Sequence, residues 1–197
     1  LGVVVAAVAA IALTGCSLEQ FRTAEAAQGT QMVAAFSENP KTFNAALNAE
    51  VPNVFQFFTY EGLLIENKIT GELEPGLAES WEIADNDLEI IFTLREGLKW
   101  SDGEPLTAED FTFTINDIYL NEAIPVNGRD GLRIGEEGLF PDISAPDART
   151  IRVVSPEPFA PLLRTIGLSS MMPKHLLADA VTQTNDSGEP LFNSTWS

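Results

Sequence analysis

The stretch LEIIFTLR (88–95) puts an apolar side chain at every second position, with Leu88, Ile90, Phe92 and Leu94 in step. A period of two is the mark of an extended strand with one buried face. Asp85-Asn86-Asp87 stands immediately before it. Such side chains bond their own backbone and tolerate left-handed angles, so they supply a turn. Trp81–Ala84 then reads as the partner strand, and residues 81–95 are expected to form a β-hairpin. Ser101-Asp102-Gly103 makes a second tight turn. Thr107 opens a helix, with Asp110 three residues on imitating a capping box. That helix spaces Phe111, Ile115 and Ile118 at i, i+4 and i+7, one buried stripe.

The flanks have the same mixed texture. TQMVAAF (30–36) reads as a strand running into a polar turn at Ser37-Glu38-Asn39-Pro40. In VPNVFQFFTYEGLL (51–64), Val51, Val54, Phe55, Phe58 and Leu63 fall close to helical spacing, with Pro52 suited to the first turn and Gly62 to the end. GELEPGLAESWE (71–82) is a turn-rich approach to the first hairpin, and 121–142 carries no clear period. Residues 142–144 and 150–155 are expected to pair as a second hairpin, turned at Pro146-Asp147. Two short helices follow near 159–167 and 173–182. The final stretch, TNDSGEPLFNSTWS, shows no capping or closing signal. No internal repeat and no low-complexity tract interrupts the chain. Short strands mixed with short helices indicate an α/β (mixed α+β) fold. A chain of 197 residues is long enough to bury roughly 70% of its unfolded surface.

Charge removes one class of partner. With 29 acidic against 11 basic residues the formal charge is −18. Nucleic acid is excluded as an expected partner, since phosphate backbones need clustered Lys and Arg. The acidity is read as a solvated, solubilising surface, with selection of cationic ligands as the alternative. No catalytic Ser motif, His cluster or phosphate-cradling Gly loop is present, so neither an enzyme nor a cofactor is expected. His175 is the one histidine. It has no second His or ligating Cys beside it, and it is read as structural rather than as a metal ligand.

Cys16 is the one cysteine, which rules out an intrachain disulfide. Its position is informative. Residues 1–13, LGVVVAAVAAIAL, carry no charge. They fall short of the roughly 20 apolar residues that span a bilayer, yet fit the roughly 7–15-residue core of a secretory signal. The chain begins at Leu1, so the basic leader of such a signal is expected to be missing. Leu13-Thr14-Gly15-Cys16 resembles the lipobox of bacterial lipoproteins. That resemblance implies a signal peptide over 1–15, Cys16 as the lipidated first residue of the mature protein, and a tether over 16–29. Acyl chains contribute about 0.8 kcal/mol per buried CH₂, so two or three would hold the protein on the membrane without a spanning helix.

Residues 73–116, LEPGLAESWEIADNDLEIIFTLREGLKWSDGEPLTAEDFTFTIN, closely resemble the family 5 extracellular solute-binding proteins. These include the oligopeptide-, dipeptide- and nickel-binding components of ABC importers. Leu73, Pro75, Leu77, Ala78 and Trp81 match the family's approach to the first hairpin. Leu94, Arg95 and Gly97 match its strand end. Lys99, Trp100, Asp102, Gly103, Pro105, Thr107, Ala108 and Asp110 match the run into the helix. TIRVVSPEPFAPLLRTIGLSSMMPKHLL (150–177) looks like the family's later strand, Pro-rich turn and Pro-Lys-His segment. Trp81, Trp100 and Phe92 also read as core, and Asp102-Gly103 and Thr107 as parts of the fold.

The resemblance implies a periplasmic-binding-protein-like type II fold, with 30–197 an incomplete N-terminal portion of a bilobal solute-binding domain. It implies capture of a solute, oligopeptide or dipeptide before others, by lobe closure outside the cytoplasm, and delivery to a permease driven by an ATPase. It maps the ligand-contacting segment before the first helix onto Asn48, Ala49 and Glu50, with Glu50 suited to a peptide's ammonium group. The rival reading is a lipid-anchored sensor or adhesin on the same fold. Residues 17–197 alone are expected to be poorly soluble, because the lobe would lack its returning chain.

Overall fold

A computed structural model describes residues 42, 44–47 and 59–194. Strand β1 (Leu64–Glu66) pairs antiparallel with β2 (Leu73–Pro75), Ile65 opposite Glu74. The connecting turn is built by Asn67, whose Oδ1 accepts from the backbone N–H of Ile69 (2.9 Å) and Thr70 (3.1 Å). The helix expected over 51–64 is corrected at its end: Leu64 belongs to β1, while 51–58 lie outside the described residues. An apolar pair such as Leu63-Leu64 suits a helix or a buried strand equally, and periodicity alone cannot separate them. Gly62 is not a helix stop either. It bridges Ser170, and a Cβ on it would sit 2.8 Å from the Gly167 carbonyl oxygen. It is glycine because two backbones meet there.

β3 (Ala78–Ile83) and β4 (Glu89–Leu94) form the expected hairpin, Trp81 opposite Phe92. The strand begins at Ala78, earlier than expected, with a register shift between Ala78 and Ser80. Asn86 Oδ1 accepts from Leu88 N at 3.1 Å and Asp87 takes φ +58°, as the turn chemistry requires. The second hairpin also forms, from β5 (Asp142–Ser144) and β6 (Thr150–Val154). β6 docks on β4, giving an antiparallel sheet of order β3-β4-β6-β5. Ile90, Phe92, Leu94, Ile151, Val153 and Ile143 point into a first core. Phe92 is fully buried, whereas Trp81 and Trp100 are half-buried and pack against that core from its edge.

Helix α1 (Ala108–Thr112) starts at Thr107, whose backbone N–H donates to Asp110 Oδ2 at 2.9 Å. It continues as a π-helix over Phe113–Tyr119, with Leu120 N donating to Ile115 O at 2.8 Å. The wider winding changes the buried stripe. Phe111 and Ile115 face the first core, but Ile118, five residues from Phe113, joins Phe113 in a second core. In an α-helix Ile118 would have stacked below Phe111.

The second core also takes Ile124, Met172, Leu177, Val181 and Phe192. α2 (Leu162–Gly167) and α3 (Lys174–Thr182) lie close to the expected helices. Residues 121–142 contain a 3₁₀ turn, Arg129–Leu132. The Arg129 guanidinium donates to the carbonyls of Tyr119 (2.7 Å), Asn121 and Ile124 (both 2.5 Å), which closes the π-helix. The tail does close, contrary to expectation. Thr184 bridges Pro190, Asn185 Oδ1 accepts from Ser187 N and Glu189 N, and Leu191–Ser194 forms a 3₁₀ turn that buries Phe192. The described residues all belong to one unit, Pro40–Ser197; the other, Leu1–Asn39, lies outside them.

Candidate functional site

The residues expected to carry lipid and ligand, Cys16, Asn48, Ala49 and Glu50, lie outside the described residues, as does the strand expected at 30–36. What the structure brings together is the two recognisable stretches, 73–116 and 150–177, which are separate in sequence and interlocked in space. Asp110 is their common point and is buried to 5% exposure. One carboxylate oxygen accepts from Thr107 N and so caps its own helix; the other accepts from Lys174 N at 2.9 Å, at the start of α3. One side chain thus satisfies an otherwise orphaned N–H at each of two helix N-termini, where the helix dipole favours negative charge. Thr114, also buried, repeats the device one turn on. Its hydroxyl donates to Asp110 O (2.6 Å) and accepts from Met172 N (2.8 Å).

Two further ties lie at the surface. Lys174 Nζ meets Glu109 Oε2 at 2.8 Å, and His175 Nε2 lies 2.7 Å from Asp102 Oδ2. The hydrogen bond from Lys174, then its charge, holds Glu109 below the usual carboxylate value, and Glu109 in turn raises Lys174. Asp102 is lowered by its bond to His175 first and by the Glu104 backbone N–H second. Trp100 lies beside this pair, its ring centroid 6.5 Å from that of His175, and its buried Nε1 has no hydrogen-bond partner.

Between the two stretches opens a cleft of about 390 Å³, lined by Glu104, Pro105, Thr107, Glu109, Asp110, Lys174, His175, Ala178 and Asp179. Thr107 is the one hydroxyl in this lining, and it is turned to Asp110 at 3.5 Å. Lys174 is paired with Glu109, and Asp110 holds two helix ends in place, while the lining as a whole carries more carboxylates than cations. Among the described residues no group of three or more His, Cys, Asp or Glu is placed to hold a metal ion. His175 has the structural partner Asp102 in the place where a ligand role would need further donors.

A second tie escaped sequence reasoning. Asn44 is buried completely and joins residues 44–47 to the closing 3₁₀ turn through a bond from Nδ2 to Phe192 O at 3.1 Å. Thr42-x-Asn44 carries local turn chemistry that was readable in principle; its remote partner was not.

The model of a family described as bacterial extracellular solute-binding proteins, family 5 Middle, matches residues 72–194. A probable ABC transporter-binding protein of Deinococcus radiodurans is 31% identical over 117 residues, covering 59% of this chain and 19% of that protein. The probable D,D-dipeptide-binding periplasmic protein DdpA of Escherichia coli is 28% identical over 178 residues, covering 80% of this chain and 32% of that protein. The crystal structure of the ABC transporter substrate binding protein CtaP of Listeria monocytogenes matches with a TM-score of 0.65 at 27% identity, over 78% of this chain and 30% of that one. The chain therefore spans 19–32% of the length of these two curated relatives.

Proposed function

Because the chain belongs to the bacterial extracellular solute-binding proteins of family 5, we infer that it serves an ABC importer as the component that captures solute, a peptide in the first instance. Its fold is a portion of the mixed α/β, type II periplasmic-binding-protein-like fold of that family. The observation that carries the reading is the interlock at Asp110. The two stretches that resemble the family are also the two that hold each other's helix ends, so the resemblance is one three-dimensional unit.

In this reading the ligand touches both lobes only when they are closed, and that difference in affinity drives closure. A peptide is held as an added strand, its backbone hydrogen bonds giving affinity whatever its side chains. Asn48 and Ala49 contribute through the backbone, and the Glu50 carboxylate receives the peptide's ammonium group. The closed complex docks on a permease, and an ATPase supplies the energy. Domain order follows the same proposal: signal peptide 1–15, tether 16–29 from a lipidated Cys16, and solute-binding domain from residue 30. The protein then works outside the cytoplasm, on the membrane surface. Two relatives from Escherichia coli favour peptides as the solute: the probable D,D-dipeptide-binding periplasmic protein DdpA and the periplasmic murein peptide-binding protein MppA.

The test is native mass spectrometry of the full-length protein purified from its own cells without denaturation. Co-released di- or oligopeptides are expected, and the mature N-terminal fragment should carry acyl mass on Cys16. Release of a non-peptide solute would overturn the peptide assignment, and an unmodified Cys16 would overturn the anchor.

A further inference from the structure

Three dipeptides in the chain join an Asn or Asp to glycine: Asp102-Gly103, Asn127-Gly128 and Asp130-Gly131. A glycine in second place puts no side chain over its own peptide nitrogen, which can then reach the carbonyl carbon of the preceding side chain. Two of the three are guarded. The N–H of Gly103 donates to Trp100 O and that of Gly131 to Gly128 O, both at 3.0 Å. Both carry a carboxylate, a poor electrophile, and the bond to His175 favours the ionised form of Asp102 further. Asn127-Gly128 has neither guard. Its side chain is a neutral amide, one of the thermolabile groups of proteins. Asn127 and Gly128 are exposed, and among the described residues the Gly128 N–H donates to no acceptor. Gly128 takes φ +89°, and nothing lies within 4 Å of where a Cβ on it would stand.

Asn127 also holds the short strap 44–47. Its backbone N–H donates to Ala46 O at 3.2 Å and its Nδ2 to Leu47 O at 3.5 Å. On its other side the strap is tied by Asn44 Nδ2 to Phe192 O, with Ala45 and Ala46 packed into the second core. We propose that Asn127-Gly128 is a site of spontaneous deamidation, and that the modification loosens this strap. The Gly128 nitrogen gives up its proton and attacks Asn127 Cγ. The new C–N bond closes a five-membered succinimide, and Nδ2 leaves with that proton as ammonia. Water then opens the ring at either carbonyl, giving Asp at 127 or an isoaspartyl linkage. The amide and one water become an acid and ammonia, and nothing is oxidised or reduced. Where Nδ2 donated to Leu47 O, a carboxylate now stands, so attraction gives way to repulsion between two acceptors. The isoaspartyl product also lengthens the main chain by one carbon, just after the N–H that serves Ala46 O. None of this depends on which solute the protein takes.

The experiment ages the full-length protein in water enriched in heavy oxygen, at neutral and at mildly alkaline pH, and maps its peptides by mass spectrometry. Each opened ring takes one oxygen from the solvent, so label at residue 127 marks conversion during the incubation. Asn86 and Asn185 are the internal references, since each holds its Oδ1 in bonds from nearby backbone N–H groups. Conversion at Asn127 is expected to run several-fold faster than at either, to rise with pH and to include isoaspartate. Conversion no faster than at the references, or without isoaspartate, overturns the site. In Asn127→Gln the longer side chain keeps the amide but closes a ring reluctantly, and residue 127 should stay unlabelled; rapid labelling there overturns the succinimide route. The consequence is read by hydrogen exchange at the Ala46 and Leu47 amides. Fresh protein is compared with Asn127→Asp and with the aged fraction, which its added negative charge separates on an anion exchanger. Both are expected to exchange roughly fivefold faster or more, the scale of one lost hydrogen bond. Fresh-protein rates in the aged fraction overturn the loosening of the strap. Should Asn127→Asp fail to fold, the aged fraction decides alone by the same two results.

Discussion

Asp110 shows how much of this fold can hang on one side chain. Its two oxygens serve two backbone N–H groups on different helices, and it is almost wholly buried. Asp110→Ala removes both acceptors and strands both donors. Hydrogen bonds to a charged group contribute about 1.5–3 kcal/mol each, so the substitution is expected to destabilise the protein by about 3 kcal/mol or more. Urea unfolding of the full-length protein would read this as a lower midpoint at unchanged slope. The surface pairs act through pH instead. Asp102 and Glu109 both have lowered pKa values in the folded chain. Their contribution is therefore complete above the unfolded carboxylate range, about pH 4, and is lost as pH falls through the lower folded values. His175→Ala should bring Asp102 back up toward its ordinary value, visible in a carboxyl NMR titration; an unmoved Asp102 would contradict the tie. Lys174 has the opposite sign. Its value is raised, so its contribution is present below the unfolded lysine value and fades as pH rises through the folded one.

At the scale of elements, the hairpins were legible and the joints were not. Ile90, Phe92 and Leu94 alternate within a few residues of Asn86 and Asp87, so strand, face and turn are all local properties. The same holds for Thr107 and Asp110 at the start of α1. β2 was missed because three residues, Leu73–Pro75, are too few to show a period. The tail was missed because its closure depends on Asn185 gripping its own backbone and on Phe192 finding a distant core. Nothing in the spacing of Phe113 and Ile118 announced the π-helix that unites them. Glycine contacts are another joint. A Cβ on Gly76 would lie 2.7 Å from Gly62 O and 3.0 Å from Leu63 O, both backbone atoms that cannot yield. Gly76→Ala is expected to destabilise by about 1–3 kcal/mol, the usual range for overpacking. Gly71→Ala, which meets open space at φ +74°, should be milder, near the 1–2 kcal/mol of a left-handed residue. Thermal midpoints of the two variants, ranked the other way, would contradict this packing account.

For the whole molecule, the family was legible because its signature is also its internal scaffold. The residues matched from Leu73 to Asp110 and the Pro173-Lys174-His175 segment meet through hydrogen bonds, so neither stretch can drift without the other. The proposed ligand contacts, Asn48, Ala49 and Glu50, carry no motif of their own, since recognition through a peptide's backbone would leave little mark on residue identity, and they lie outside the described residues. A formal charge of −18 adds solubility and mutual repulsion without specifying a partner. The central claim is capture for import, and uptake by the source cells tests it most directly. Cells lacking the protein would be given a radiolabelled tripeptide that the purified full-length protein retains, with and without the gene restored. Loss of uptake on deletion and recovery on restoration is the predicted result. Uptake at the wild-type rate in the deleted cells would contradict import and favour a lipid-anchored sensor or adhesin on the same fold.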